Sequence, residues 1–545
     1  MANASEQDVA DSGPKRTLGL TGVTINAMAL IAPGAFLWIT FQLQAAQSGP
    51  DGSTTGFDMW QGMVFALIIA FLTALSYSQM AKIYPEAGYG SAYYFAEKTF
   101  LDKEESQHHR WARGSKLVTG WAAHLFYWVY PGVMVTFMAI LVSYIAGLFG
   151  ATDGSGNPGL PLVVNIGVAI LFALGVGFVA VRGINGSTLT NLIINVVQLT
   201  SLVVFSALAI IYRLKNPDGA TFGALADGTQ VGHATVGSIL IPHSLSSVLF
   251  QSTLAILILV GFESCTALGA EAKNPKHSVP RGVLLSLIIQ GLFAYVIGYF
   301  AANFAVSDKL VVQGTDASGA AVTYVGMAAA AHSQAPVGDM IRLFGDTLLG
   351  GIGFGLAVTM AITVALAIFG TTLSCINTAV RVSYAMAKDQ EMPEILGLMH
   401  GRFATPSAAT WMLVGISALI GAVGVYSIVT QTGLGIASNL GTFILYGLIC
   451  IWTIIAFNGR PDRNIFLHVI IPVLGLLTNV LMVITIFYLA FAAGGDSSKE
   501  GYIALGVAAA WAIVSIVYIV INTGRRQRVL LPAPSPAAGL DGNLV

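Results

Sequence analysis

Twelve long apolar stretches run through the 545-residue sequence and constrain its fold more than any other feature. A membrane-spanning helix needs roughly 20 mostly apolar residues, and each stretch is about that long or longer. Only 9% of the residues are charged, whereas soluble domains average about 25%. The runs are unbroken, unlike the alternating pattern of a membrane β-barrel. We therefore predict an all-α integral membrane protein of about twelve transmembrane helices, near residues 18–44, 59–81, 117–149, 160–181, 188–212, 244–270, 283–306, 349–386, 407–428, 432–457, 465–491 and 501–522.

The basic residues predict an orientation. With a cytoplasmic N-terminus, 20 of the 25 lysines and arginines fall on the cytoplasmic side, which agrees with the positive-inside rule. The five on the other side are Arg213, Lys215, Lys309, Arg342 and Lys499. A wrong span count would destroy this asymmetry. We expect a multi-pass protein of the cytoplasmic membrane with both termini inside, including a disordered tail over 1–17 and a second tail over 523–545.

Two spans carry helix-breaking residues. The first contains Ala32-Pro33-Gly34, and the sixth contains Gly261-Phe262-Glu263. A helix is interrupted inside a membrane only where protein or a water-filled cavity satisfies the freed backbone groups. Transporters built from inverted repeats place such interruptions at corresponding positions of their two halves. Spans one and six correspond in an arrangement of two five-helix repeats, although a simple kink without a ligand is the alternative.

Glu263 is the one acidic side chain that the sequence places well inside a span. A carboxylate at the bilayer centre costs about 2.5–3.5 kcal/mol on insertion scales, so such a residue is paired, protonated or functional. Glu263 is therefore a candidate for coupling or gating. An alternative role is a hydrogen-bond anchor for the broken sixth helix.

Three ordered motifs resemble those of the amino acid–polyamine–organocation (APC) permeases. They are YPEAGYGSAY at 84–93, GFESCTALGAEAKNP at 261–275 and RVSYAMAKDQEMP at 381–393. The resemblance implies a LeuT-type fold: two inverted five-helix repeats over 18–457, with two additional helices over 465–522. It also implies a substrate site at the membrane midplane between spans one, three, six, eight and ten.

The sequence departs from the family pattern at three places. Where many relatives have G-x-G in span one, this chain has Asn26-Ala27-Met28. Side chains therefore occupy a position at which the bare backbone of those relatives closely approaches the substrate carboxylate. The run 256–260 before Gly261 is aliphatic rather than aromatic. Gln198 stands where many proton-coupled relatives have a lysine, and it cannot carry an alternating charge. These departures identify a divergent member.

The resemblance and the polar pattern together give a set of candidate residues. His124 and Tyr127 are three apart and share a helix face in span three, where Tyr127 resembles a cavity-lining aromatic. The candidates for substrate binding are Ala27, Met28, Ala29, Tyr127, Leu257, Leu259, Gly261 and Ser374. The candidates for coupling or gating are Glu263, His124 and Gln198.

The predicted function is secondary active transport of an amino acid or amino-acid-like solute. The alternative is an amine or polyamine transporter or exchanger of the same fold. The sequence has no filter-like repeat of the kind that a channel needs. It also has no recognisable nucleophile or metal motif of an enzyme. We expect a small-molecule substrate, the lipid bilayer and a coupling ion as partners, with no cofactor, metal or nucleic acid.

Overall fold

The computed structural model describes residues 17–31, 37–50, 52–85, 90–102, 109–182, 188–220, 234–315, 320–401, 403 and 405–525. Within this part of the chain, ten helices are long and apolar enough to cross a membrane. Two shorter apolar segments, Leu20–Ile31 and Leu245–Ile258, lie at the first and sixth predicted spans. The prediction of an all-α membrane fold with about twelve spans is confirmed. The two predicted tails lie almost wholly outside the described residues.

The α-helices follow one another closely along the chain. They are α1 Leu20–Ile31, α2 Leu37–Ala46, α3 Met59–Ile83, α4 Ala92–Leu101, α5 His109–Leu148, α6 Leu162–Val181, α7 Thr188–Lys215, α8 Val236–Leu240, α9 Leu245–Ala255, α10 Ser264–Ala267, α11 Pro275–Leu287, α12 Val296–Ala305, α13 Gly326–His332, α14 Pro336–Leu348, α15 Gly353–Lys388, α16 Ser407–Gly424, α17 Ile428–Phe457, α18 Ile471–Ala492 and α19 Gly495–Arg525. A π-helical segment, Ile288–Tyr295, joins α11 to α12 into the seventh span.

Both predicted interruptions coincide with the ends of short helices. The first span is divided into α1 and α2, and the predicted break Ala32-Pro33-Gly34 lies outside the described residues between them. In the sixth span, α9 passes into a 3-10 turn at Ile256–Ile258, and α-helix resumes only at Ser264. These segments pack on one another and on the long helices α3, α15 and α17.

One end of the helix bundle carries a β-hairpin that the sequence analysis did not predict. Strands β1, Val311–Thr315, and β2, Ala321–Val325, pair antiparallel, with Val311 opposite Val325. The hairpin leads into α13 and α14. We call this end the hairpin face. All five basic residues assigned to the outside by the charge pattern lie on it.

The opposite end, here called the N-terminal face, holds both ends of the described chain. Leu18 N donates to Glu271 O at 3.0 Å. Asn522 Nδ2, near the end of α19, donates to Gln390 O at 2.9 Å. Arg381, near the end of α15 and before Gln390, pairs with Glu271 at 2.7 Å, so α19 ends on the same face at which α1 begins.

Candidate substrate and coupling site

The break of the sixth span depends on a glycine. Gly261 has φ +128°, which L side chains rarely adopt. A Cβ atom at this position would also lie 3.0 Å from the Leu30 side chain and 3.1 Å from that of Ile31. Gly261 therefore lets the sixth span turn while its backbone lies against α1.

The Glu263 carboxylate lies directly after this turn and is 1% exposed. Its Oε2 accepts hydrogen bonds from Gly261 N at 3.0 Å and from Tyr446 Oη at 3.0 Å. Its Oε1 accepts from Tyr127 Oη at 3.4 Å. Three donors therefore satisfy the carboxylate inside the bundle. We call Tyr127, Glu263 and Tyr446 the Glu263 cluster; it links α5, the broken span and α17.

Aromatic side chains enclose this cluster. Tyr77 of α3 makes edge contacts with Phe262, at a ring-centroid distance of 6.1 Å, and with Tyr446, at 6.0 Å. Tyr127 and Tyr446 are 2% and 0% exposed, so both phenols of the cluster are buried. The sequence analysis identified Glu263 and Tyr127 as candidate site residues but did not identify Tyr446 or Tyr77. The chain contains 18 tyrosines, and nothing in the local pattern distinguished these two.

The last turns of α1 present their carbonyl groups to polar side chains of other spans. Gln290 Nε2 donates to Met28 O at 2.8 Å, and Thr371 Oγ1 donates to Ala29 O at 2.9 Å. Carbonyls at a helix end lack intrahelical partners, so these amide and hydroxyl groups stabilise the interrupted span. The predicted residues Ala27, Met28 and Ala29 are buried here.

The remaining predicted substrate residues adjoin different elements of the bundle. Leu257 O accepts a hydrogen bond from Tyr130 Oη at 3.3 Å, so this backbone adjoins α5. The Leu259 side chain instead lies against Gly291 of the seventh span. Ser374 is half-buried on α15, about one turn after Thr371.

Gln198 does not belong to the Glu263 cluster. Its side chain is buried and donates a short hydrogen bond to Thr363 O of α15. With Trp38 it lines a cavity of about 10 Å³, roughly the space of one water. One turn earlier, Asn195 Nδ2 contacts Ile25 O of α1 at 3.3 Å. In span five, therefore, Asn195 rather than Gln198 forms the hydrogen bond to α1.

His124 links two helices away from Glu263. Its Nδ1 lies 2.6 Å from Gly120 O, and its Nε2 lies 2.9 Å from Ser383 Oγ of α15. A carbonyl only accepts, so Nδ1 donates to Gly120 O, while the single hydrogen of the Ser383 hydroxyl has Ala379 O, at 2.9 Å, as another acceptor. The ring also packs edge-on against Trp128 at 5.2 Å. This geometry links α5 to α15 through the His124 ring.

A buried set of ion pairs joins helices on the N-terminal face. Lys116 Nζ of α5 contacts Glu97 Oε1 at 2.7 Å and Asp389 Oδ2 at 2.9 Å. Arg113 forms a bidentate ion pair with Glu391, with Nε 2.6 Å from Oε1 and Nη2 2.9 Å from Oε2. Each of these side chains is at most 4% exposed. We call these five residues the ion-pair lock; it joins α4, α5 and the segment after α15.

Burial raises the pKa of Glu97 within this lock, and the nearby Lys116 ammonium opposes that rise. Glu97 Oε2 has no hydrogen-bond partner among the described residues. The lock also receives a hydrogen bond from Tyr93 Oη to Asp389 Oδ2 at 2.9 Å. Because Lys116 contacts two carboxylates, it is the central cation of the lock.

The described residues contain no group of three or more His, Cys, Asp or Glu side chains arranged to hold a metal ion. The site is instead built from a carboxylate, phenols, hydroxyls and carbonyls around two interrupted helices. Such a constellation can bind and release a small polar solute or a cation.

Comparison with known proteins gives the family. The chain is 22% identical to the branched-chain amino acid permease BcaP of Bacillus subtilis, over 82% of each chain. It is 22% identical to the methylthioribose transporter of the same organism, also over 82% of each. It is 23% identical to the low-affinity putrescine importer PlaP of Escherichia coli, over 93% of this chain and 94% of that one. The amino acid permease family matches residues 17–488, and the chain belongs to that family, a divergent member of the APC superfamily.

Proposed function

We propose that this permease is a secondary active transporter that carries an amino acid or amino-acid-like solute across the cytoplasmic membrane by alternating access. The observation that carries the proposal is the Glu263 cluster. A buried carboxylate at the break of the sixth span is held by tyrosines from α5 and α17. Movement of the broken span relative to these helices would break both contacts and expose the site.

The surroundings of the site favour a solute with an apolar side chain. Met28, Leu257 and Tyr130 are buried close to the interruptions, while Glu263 supplies a negative charge that attracts an ammonium group. The relative BcaP is named for branched-chain amino acids. We therefore take L-leucine as the first solute to test.

An amine substrate is the alternative, and a specific observation supports it. The only charge in the Glu263 cluster is negative, and the relative PlaP is named as a putrescine importer. A diamine has two cationic ends, however, and the cluster offers one carboxylate. Competition between L-leucine and putrescine therefore separates the two proposals.

The ion-pair lock is proposed to close the cytoplasmic side of the pathway. The lysine and arginine asymmetry supports a cytoplasmic N-terminal face. In this arrangement residues 18–457 form the transport core, and 465–522 form two additional helices. Opening toward the cytoplasm would then require separation of α4, α5 and the segment after α15.

We propose that coupling runs through protonation of Glu263. Gln198 has no charge to exchange with a proton, and its side chain contacts Thr363 of α15. Sodium coupling has one supporting observation, since the Thr371 hydroxyl lies beside Ala29 O and such oxygens ligate hard cations.

Uptake into proteoliposomes tests the function. Purified protein would be reconstituted, and [³H]-L-leucine uptake would be measured under a proton gradient, a sodium gradient or neither. We expect uptake driven by the proton gradient, competition by unlabelled L-leucine, and at least a tenfold loss in Glu263→Gln. Asp462→Asn, which alters an exposed carboxylate, is the matched control and should retain wild-type uptake.

Two results would reject parts of this proposal. Competition by putrescine but not by L-leucine would favour the amine transporter. Wild-type rate and pH dependence in Glu263→Gln would remove Glu263 from the mechanism.

A further inference from the structure

A second chamber, separate from the Glu263 cluster, lies on the hairpin face. Its volume is about 610 Å³, within the usual range of about 300–1,000 Å³ for small-molecule pockets. Its walls are β1, the loop that follows α5, and α14. None of Tyr127, Glu263 and Tyr446 lines it.

Specific contacts hold the walls of this chamber together. Asn157 Nδ2, in the loop after α5, donates to Thr315 Oγ1 of β1 at 3.4 Å. Tyr144 Oη of α5 donates to Asp339 Oδ1 of α14 at 3.1 Å. The Tyr324 ring of β2 stacks on His332, with centroids 3.6 Å apart. Contacts among three segments of the chain therefore hold the walls of the chamber in place.

Charges of both signs line the chamber, and Arg342 is close enough to Asp339 to interact with it electrostatically. Arg342 and Asp346 are four residues apart on α14, a spacing that brings side chains together on one helix face. Nevertheless, they do not form an ion pair within 4.0 Å in the described structure. Asp346 Oδ1 instead accepts from Gly353 N at 3.0 Å. Both side chains belong to exposed residues, so their remaining hydrogen-bonding capacity is open to a ligand.

A buried polar atom adds an independent indication of a ligand. Gln334 lines the chamber, and its Oε1 is buried without a hydrogen-bond partner among the described residues. Such atoms are rare in native proteins, because an unsatisfied acceptor loses its hydration without compensation. The amide would have to turn toward the chamber for a bound donor such as an ammonium group to satisfy it.

We propose that this chamber binds a free zwitterionic amino acid at a second, peripheral site. Arg342 receives the α-carboxylate through its planar guanidinium group, and Asp346 receives the α-ammonium group. Leu148, Val312 and Leu343 give an apolar wall for an aliphatic side chain. An amine or a carboxylate alone would satisfy only one of the two charges.

Equilibrium binding to the full chain in lipid nanodiscs tests the proposal independently of transport. [³H]-L-leucine would be titrated into wild type, Arg342→Gln, Arg342→Lys and the control Lys499→Gln, which alters another exposed cation of the hairpin face. We expect Arg342→Gln to lose one equivalent of bound leucine per protein, whatever the Glu263 cluster binds. Arg342→Lys should keep that equivalent with weaker affinity, and Lys499→Gln should match wild type.

Two analogues with the same carbon skeleton test the requirement for both charges. Isoamylamine lacks the carboxylate, and 4-methylpentanoate lacks the amine. Neither should displace the equivalent of leucine that depends on Arg342. The proposal is overturned if Arg342→Gln and wild type bind the same number of leucine molecules, or if either analogue displaces this equivalent as well as leucine does.

Discussion

At the residue scale, the Glu263 cluster assigns unequal roles to two tyrosines. Tyr446 Oη lies 3.0 Å from the carboxylate and Tyr127 Oη lies 3.4 Å from it. The sequence brought forward Tyr127, because its family position suggested a cavity-lining aromatic. The structure adds Tyr446, whose shorter hydrogen bond makes it the stronger of the two phenolic donors.

Removal of the two hydroxyls should therefore have graded effects. A hydrogen bond to a charged group contributes about 1.5–3 kcal/mol, so we expect Tyr446→Phe to lower the leucine uptake rate and the thermal stability more than Tyr127→Phe. Initial uptake rates and unfolding midpoints measure both effects. Tyr488→Phe, which removes the hydroxyl of an exposed tyrosine on α18, is the control and should leave the pH profile unchanged. The reverse order of the two cluster variants would contradict the assignment.

Gly261 gives a second prediction at this scale. Gly261→Ala places a Cβ atom 3.0 Å from Leu30 in a backbone conformation that costs a non-glycine residue about 1–3 kcal/mol. We expect a lower unfolding midpoint and little transport. Gly506→Ala, at an exposed helical position where the new methyl meets nothing within 4 Å, should leave stability unchanged or slightly increase it. Equal midpoints for the two variants would show that the turn does not require glycine.

At the element scale, the long helices were predictable and their partners were not. An apolar run of about 20 residues has one stable form in lipid, and the interruption in span six follows from its Gly261-Phe262-Glu263 sequence. In the ion-pair lock, the partners are separated by 273 positions in one pair and by 278 positions in another. No local pattern connects residues so far apart in the sequence. The hairpin was missed because it lies between spans, where hydropathy gives no constraint.

The sequence also could not predict which turn of a helix carries the polar side chain that reaches the site. The structure brings Tyr127 and Glu263 together, but it places His124 and Gln198 against α15. A step of three or four residues keeps the helix face but moves a side chain by one turn, about 5 Å along the axis. Family position alone could not resolve whether Gln198 or Asn195 reaches α1. The roles assigned to His124 and Gln198 stay predictions.

The ion-pair lock yields a prediction at the element scale. Lys116→Met leaves Glu97 and Asp389 without their common cation, and breaking a buried ion pair in this way costs about 3–5 kcal/mol. We expect a large fall in the unfolding midpoint and a cytoplasmic side that opens more readily. Neutralising the two carboxylates as well, in Lys116→Met/Glu97→Gln/Asp389→Asn, should recover most of the stability. Lys499→Met breaks an exposed pair with Asp496 and should have no measurable effect.

At the scale of the whole molecule, the charge pattern and the fold agree on two distinct faces. Arg213, Lys215, Lys309, Arg342 and Lys499 lie on the hairpin face, whereas α1 begins and α19 ends on the N-terminal face. The proposed orientation places the hairpin face and its chamber outside the cell. The peripheral site would then meet external solutes, while the ion-pair lock would face the cytoplasm.

Cysteine labelling in intact cells tests this orientation with little interference from the native sequence. All three native cysteines, Cys265, Cys375 and Cys450, are buried, so the wild type should react slowly with a membrane-impermeant maleimide. Ser155→Cys, exposed in the loop on the hairpin face, should be labelled in intact cells. Lys388→Cys, exposed at the end of α15, should be labelled only after the cells are lysed. Labelling in the opposite order would show the opposite membrane topology, with the chamber in the cytoplasm and the ion-pair lock on the outside.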